Sequence, residues 1–271
     1  MVTGVDAAAS EFDTPPEVFA PSFRRLREHG MQHFTYHAGE DFFHVLSGLR
    51  AIYEAMEYLE LQAGDRIGHA TAAGVDVKLW KENVGERLWM RIEDYLNDLV
   101  FAYHLIAITK ERALEPTLPR IALRIEEYAA KIYPNTYSVC ELIDAWLKRK
   151  DNPTSLSNEQ PNRLEQFCLY YHSKEGREKG KEIILVDTYD IFGEKELVCL
   201  QKLLLKVMHQ KQIVIETLPT SNVIIGYHHS FSTYQLYNWY RWSKEGEKIP
   251  AIVIGTDDAG IFATNIYNEY C

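Results

Sequence analysis

Histidines and carboxylates stand at the ends of short apolar runs in this chain. Phe34-Thr-Tyr-His-Ala-Gly-Glu40 delivers His37 and Glu40, and Arg66-Ile-Gly-His-Ala70 delivers His69. Ile213-Val-Ile-Glu-Thr-Leu-Pro-Thr-Ser-Asn222 delivers Glu216, and Ala251-Ile-Val-Ile-Gly-Thr-Asp-Asp258 delivers Asp257 and Asp258. Neutral imidazole and carboxylate are the usual donors to a catalytic divalent metal such as zinc. A metal held among them brings the pKa of bound water toward ~7, and a neighbouring carboxylic acid can pass a proton to a leaving group. The combination predicts metal-assisted hydrolysis. Neither a phosphate-binding loop nor a GxGxxG motif is present, and no Ser-His-Asp pattern is evident.

Such residues meet only if the elements carrying them are parallel strands, because a parallel α/β barrel gathers its chemistry at the C-terminal strand ends. The pattern fits. Residues 1–6 and 31–36 read as strands, with a helix between them that starts at Thr14-Pro-Pro-Glu17 and stops at His29-Gly30. Apolar residues at helical spacing predict a helix over 42–61, followed by a short strand over 66–69. This strand-helix alternation with short connections means βαβ units and a parallel sheet. It resumes late, with strands over 213–216 and 251–256 and an aromatic-rich helix over 232–244.

The middle differs. Helices are expected over 84–110, 118–132, 138–148 and 194–210, a polar loop over 149–161, and a strand of no obvious place over 182–187. The chain therefore divides into a barrel segment (1–72), a mainly helical insertion (73–211) and a second barrel segment (212–271). A long insertion in one βα loop is tolerated because loop-closure cost grows only logarithmically with length. The five barrel-type strands fall short of the eight that close a barrel.

Composition sets outer bounds. The chain has 271 residues, 46% hydrophobic and 25% charged, which is ordinary for a globular protein. A net charge of -10 disfavours duplex nucleic acid as a ligand. Cys140, Cys168, Cys199 and Cys271 are scattered without C-x-x-C spacing and read as reduced thiols. With no apolar run long enough to span a bilayer and no basic n-region at Met1, the expected location is cytoplasmic, without a membrane partner.

Four motifs in register, each after an expected strand, carry a family resemblance. His37-Ala-Gly-Glu40, Gly68-His69, Pro219-Thr-Ser-Asn222 and Thr256-Asp-Asp258 resemble the adenosine deaminase family in order and strand context, and Val5-Asp6-Ala-Ala-Ala-Ser-Glu11 resembles its preceding strand end. The resemblance covers roughly the first 72 residues and the last 60. It implies a partial (β/α)8 barrel, about strands four to eight, and hydrolytic deamination of adenosine or a related adenine nucleotide to the inosine form plus ammonia. His37 and Asp257 would be zinc ligands. Glu40 would protonate purine N1, His69 would orient the attacking hydroxide, and Asp258 would hydrogen-bond N7. Ala9 occupies the position of a glycine that binds the purine through its backbone. The family's His-x-His pair, which supplies two further ligands, does not occur in this chain, so an N-terminal barrel half bearing it is expected upstream and the present polypeptide alone is expected to be poorly active. The long helical insertion is more like that of the large deaminase-type subunits of bacterial anti-phage defence.

Blander readings compete. His33 precedes His37 by four residues, but on a strand it reads as a barrel or interface residue. His228-His229 reads as loop surface, and Asp257-Asp258 could be a turn or N-cap pair. Glu216 fits either a site role or the anchoring of its loop. Tyr234, Tyr237, Trp239, Tyr240 and Trp242 read first as the packing of one helix. A second functional class follows from the missing strands: an inactive barrel fragment whose open sheet edges bind partners or copies of itself.

Overall fold

The computed structural model describes residues 3–8, 10–12, 14–151 and 161–270. It opens as β1 (Gly4–Ala7), α1 (Ala20–Glu28), β2 (His33–Ala38), α2 (Val45–Tyr58) and β3 (Arg66–His69). Next come α3 (Val77–Val84), β4 (Arg87–Arg91), α4 (Ile92–Thr109), α5 (Leu118–Ile132) and α6 (Val139–Leu147). Then follow α7 (Arg163–His172), α8 (Lys174–Gly180), β5 (Ile183–Asp187) and α9 (Glu194–Gln210). The chain finishes with β6 (Val214–Thr217), α10 (Pro219–Ile225), α11 (Gln235–Lys244), β7 (Ile252–Ile254) and α12 (Ile266–Glu269).

The fold is α/β. Five strands form one sheet in the order β1-β2-β3-β6-β7, and every neighbouring pair is parallel. Each strand lies beside its predecessor in that series, so the order never reverses. β4 and β5 form a separate antiparallel pair. No described helix is long and apolar enough to cross a membrane.

α2 is the main cover of the sheet: Leu46, Leu49, Ile52, Ala55 and Met56 recur at helical spacing and are all buried. It starts at Val45 rather than at 42 because His44 caps it, its Nδ1 accepting from the Leu46 N–H at 3.0 Å. A buried ion pair ties α2 to its neighbours. Arg50 Nε donates to Asp98 Oδ1 on α4 at 2.7 Å, its Nη1 reaches Glu54 at 3.1 Å, and Trp146 Nε1 on α6 donates to Glu54 Oε1 at 2.7 Å.

The middle of the chain departs from expectation in two places. The range 84–110, expected as one helix, is helical only over α4 and the last residue of α3, and strand β4 lies between the two. Gly85 at φ 84° ends α3, and β4 then alternates, with Leu88 and Met90 inward and Arg87, Trp89 and Arg91 outward. That period of two is the strand signature, and it pairs with β5, which gives the expected 182–187 strand its partner. Two helices, α7 and α8, fill a region where none was expected; Asn162 starts the first through a capping box with Glu165, and Ser173 caps the second. Beyond the middle, helix α10 occupies a stretch to which no element was assigned, with Pro219 in its first turn.

The N-terminal end of the sheet is held by one carboxylate. Asp65, 2% exposed, accepts from Arg27 Nη2 at 2.8 Å, from the Phe34 N–H at 3.0 Å and from the Gln62 N–H at 2.8 Å. It thus joins α1, the start of β2 and the turn before β3. Removing it strands a guanidinium and two backbone donors. Asp65→Ala is expected to lower the unfolding free energy by about 3–5 kcal/mol, read from urea denaturation. A loss below about 1 kcal/mol, the scale of an exposed pair, would contradict this account.

Candidate active site

The C-terminal ends of β2, β3 and β7 converge. In register, His37 on β2 lies opposite Gly68 on β3, and Ala38 lies opposite His69. The missing side chain at Gly68 makes the crossing feasible, since a Cβ there would stand 2.8 Å from His37 Cδ2. The His37 and His69 rings meet edge to face with centroids 4.8 Å apart, and His69 Nε2 lies 3.1 Å from His37 Nδ1. Glu40 Oε2 is 3.1 Å from His69 Nδ1, and Asp257 Oδ2 is 3.8 Å from His69 Nε2. Beyond the pair, His37 Nε2 lies 3.4 Å from Asp6 Oδ2 on β1. His69 is 1% exposed, whereas Asp6 reaches solvent at 57%.

The backbone is held in uncommon conformations here. His69 (φ 65°), Ala70 (φ 50°) and Asp257 (φ 55°) all lie in the left-handed region. Each such residue costs about 1–3 kcal/mol and persists only where its surroundings over-determine it. For the β3 exit loop those surroundings are visible. The Ala70 N–H donates to the Ala38 carbonyl at 3.2 Å, and the Ala72 N–H to that of Gly39 at 2.8 Å. Gln201 on α9 donates to the Ala72 and Val75 carbonyls at 2.8 and 2.9 Å, and Trp239 Nε1 on α11 donates to that of Ala73 at 3.0 Å.

Glu40 is set by a residue that sequence reasoning gave no role. The Glu11 carboxylate accepts from the N–H groups of Gly39 (2.7 Å), Glu40 (2.8 Å) and Asp41 (3.0 Å). Three consecutive amides on one buried carboxylate fix the turn from which Glu40 projects. Gly39 sits in that turn at φ 77°, where a Cβ would strike Ile52. Ser221 and Asn222 are the other additions: Ser221 Oγ donates to Asp257 Oδ2 at 2.7 Å, and Asn222 Nδ2 lies 2.7 Å from His69 Nδ1. Both stand in the quoted Pro219–Asn222 motif, where two polar residues before an apolar run were the available signal. Asp6, the polar end of β1, is a third.

The titratable groups are pushed in opposite directions. Burial, reinforced by the Glu11, Asp41 and Asp257 carboxylates, lifts Glu40 to about 8, so it holds its proton at neutral pH. Burial and the neighbouring His37 bring His69 down to about 3, so it is neutral. Burial also opposes charge on His37, but Asp6, Glu40 and Asp257 outweigh it and raise its pKa.

Of the residues expected at the site, His37, Glu40, His69 and Asp257 come together. Asp258 is exposed beside them, its N–H donating to Asp257 Oδ1 at 2.9 Å. Ala9 lies outside the described residues. Glu216 pairs with Arg66 on the neighbouring strand β3 at 3.1 Å. His33 is exposed at the opposite end of β2. His228 departs from its surface reading: it is 7% exposed, and its Nδ1 lies 2.8 Å from the Thr233 carbonyl. The aromatic helix is divided, with Trp239 and Trp242 buried and Tyr237 and Tyr240 exposed.

One donor atom each from His37, Glu40 and His69 lies within 4.8 Å of the others. Two ligands on a single zinc stand at most about 4.2 Å apart, given bonds of ~2.0–2.1 Å, so these three donors together could close on a metal ion only after contracting, and they do not identify which ion; Asp257 lies beside them, 3.8 Å from His69. A comparison with protein-family models and with curated proteins finds no match to this chain.

The raised Glu40 pKa carries a stability consequence. Between the ordinary 4.5 and about 8 the native state holds a proton that the unfolded chain has lost. That contribution is whole below the lower value and is lost as pH rises through the upper one. Glu11, lifted by burial to about 7, acts in the same direction. In metal-free protein, unfolding free energy should fall between about pH 5 and about pH 8, and fall less steeply in Glu40→Gln. Urea titrations giving equal slopes for the two proteins would contradict the assigned proton.

Proposed function

We propose that this chain is the C-terminal part of a zinc-dependent, adenosine deaminase-like barrel that hydrolyses an adenine nucleoside or nucleotide to its inosine form and ammonia. The observation that carries the reading is the meeting of His37, Glu40, His69 and Asp257 at the C-terminal ends of parallel strands. Strand order without reversal is what an arc of a (β/α)8 barrel has, and its chemistry lies at that rim.

His37 and Asp257 would hold the zinc, which when bound supplies Lewis-acid activation of water at neutral pH. Water adds at C6 and the 6-amino group leaves as ammonia, so the exchange is balanced by one water. Glu40 enters protonated and gives its proton to the ring nitrogen N1, which makes C6 more electrophilic. His69, neutral and buried, would orient the nucleophile by hydrogen bonding. Asp258, exposed beside Asp257, would hydrogen-bond the base at N7. The large deaminase-type subunits of anti-phage defence are the narrower class that the helical block between β3 and β6 suggests.

A second reading has an observation of its own. β1 and β7 are the outer strands of the described sheet, and open edges invite pairing, so an inactive module for assembly with other chains or copies of itself is the competitor. Zinc content and ammonia release from adenosine separate the two, measured on the polypeptide with any upstream coding sequence included. Stoichiometric zinc and turnover, abolished by chelation, are expected. Glu40→Gln should cost ~10²–10⁴ in rate by removing the proton donor. An unchanged rate would refute the role of Glu40, and a zinc-free, inactive protein would favour the assembly module.

A further inference from the structure

The β4–β5 pair takes no part in the site, yet it forms a firm platform. Its ladder runs on past both strands, the Thr188 N–H donating to the Glu86 carbonyl at 2.9 Å and the Ile92 N–H to that of Glu182 at 2.8 Å. Leu88, Met90 and Val186 are buried on its inner face. The outer face breaks the usual pattern. An antiparallel sheet with one face in water carries polar residues there, but Trp89, Ile183 and Leu185 stand outward at 65%, 58% and 43% exposed. They are contiguous, because Trp89 lies opposite Leu185 and Arg91 opposite Ile183 in register. At one end of the strip Arg87 Nε donates to Asp187 Oδ1 at 2.9 Å, and both side chains are exposed.

A cover for this strip needs apolar area in the middle and charges of the right sign at one end. The strip supplies that complement itself. A two-fold contact sets a surface against its own copy, and an axis running along the strands turns β4 of one copy onto β5 of the other. Trp89 then packs on the partner's Leu185. Arg87 meets the partner's Asp187, Asp187 meets the partner's Arg87, and the aliphatic stem of Arg91 lies on the partner's Ile183. An axis across the strands would instead set Arg87 on the partner's Arg91, and like charges repel. A nucleic-acid strand can also use arginines and a tryptophan, but a chain of net charge -10 repels its phosphates, and Asp187 stands in the strip. We propose that the outer face of β4–β5 is a self-docking surface through which two copies of this chain pair face to face. Six residues a side are fewer than the roughly 20–30 of a standard interface, so the dimer is weak and forms as concentration rises. Pairing here is independent of the proposed reaction and does not use the sheet edges at β1 and β7.

The test is sedimentation equilibrium of the full chain over a broad range of concentration. A monomer–dimer equilibrium is expected, and Trp89→Ser should weaken it roughly tenfold or more, as loss of an aromatic anchor does. Charge variants read the geometry. Arg87→Asp and Asp187→Arg each place like charges across the axis, so each alone should stay monomeric, whereas an equimolar mixture of the two should pair again. Both side chains are exposed, so circular dichroism should show unfolding close to that of the wild type. A wild-type chain that is monomeric throughout, a dimer indifferent to Trp89→Ser, or a mixture of the charge variants that fails to pair would each overturn the proposal. So would a monomer that binds a single-stranded oligonucleotide and loses it in Trp89→Ser, which would give the face to nucleic acid. Should Trp89→Ser not fold, the wild-type equilibrium and the charge-variant mixture decide it.

Discussion

The His37 ring crosses onto the neighbouring strand at Gly68, where any Cβ would come within 2.8 Å of it. That close approach puts two imidazoles edge to face at the sheet's rim, and the rest of the site is arranged to keep it. His69 turns through a left-handed backbone directly after β3, so its ring lies against His37. The loop that follows is then fastened by Gln201 from α9 and Trp239 from α11. Elements far apart in the chain thus converge on one short turn. Strain at a rim needs this over-determination, because a loosely held loop would relax out of the left-handed region.

Enclosure explains the electrostatics. Carboxylates gathered under low solvent access favour their neutral forms, and imidazoles near one another cannot both be charged. Glu40 therefore rises to about 8 while His69 falls to about 3. In the proposed deaminase reading, groups of opposite protonation held side by side would let one site give a proton and position a nucleophile at one pH. The same burial would be costly for unpaired groups. Here Glu11 binds three amides and His69 has a partner at each nitrogen, which offsets that cost.

The two ends of the sheet divide the work. At the N-terminal end Asp65 satisfies buried donors and an arginine, a purely cohesive task. At the C-terminal end the acidic and imidazole groups face one another across strand ends instead. Parallel packing produces this polarity, since every strand presents its C-terminal end on the same face.

Local signals carried much of this architecture. Alternating strand and helix patterns located β2, β3, β6 and β7 within a few residues, and helical periodicity placed α5 over Leu118–Ile132 and α9 over Glu194–Gln210. Apolar runs ending in His37, His69 and Asp257 were enough to nominate the site, because strand polarity and strand ends are written in adjacent residues. β4 was absorbed into a helix because five residues of alternation are a weak signal beside a long helical period, and β5, its partner, is more than ninety residues away. The contact made by Asn222 was invisible for the same reason. Its neighbour His69 is 153 positions distant, and which of its amide atoms faces the ring depends on a backbone N–H at Leu218. Residue order reveals what a side chain is and where its element ends; only the folded contacts reveal which atom it turns toward a partner, because hydrogen-bond direction is a property of pairs.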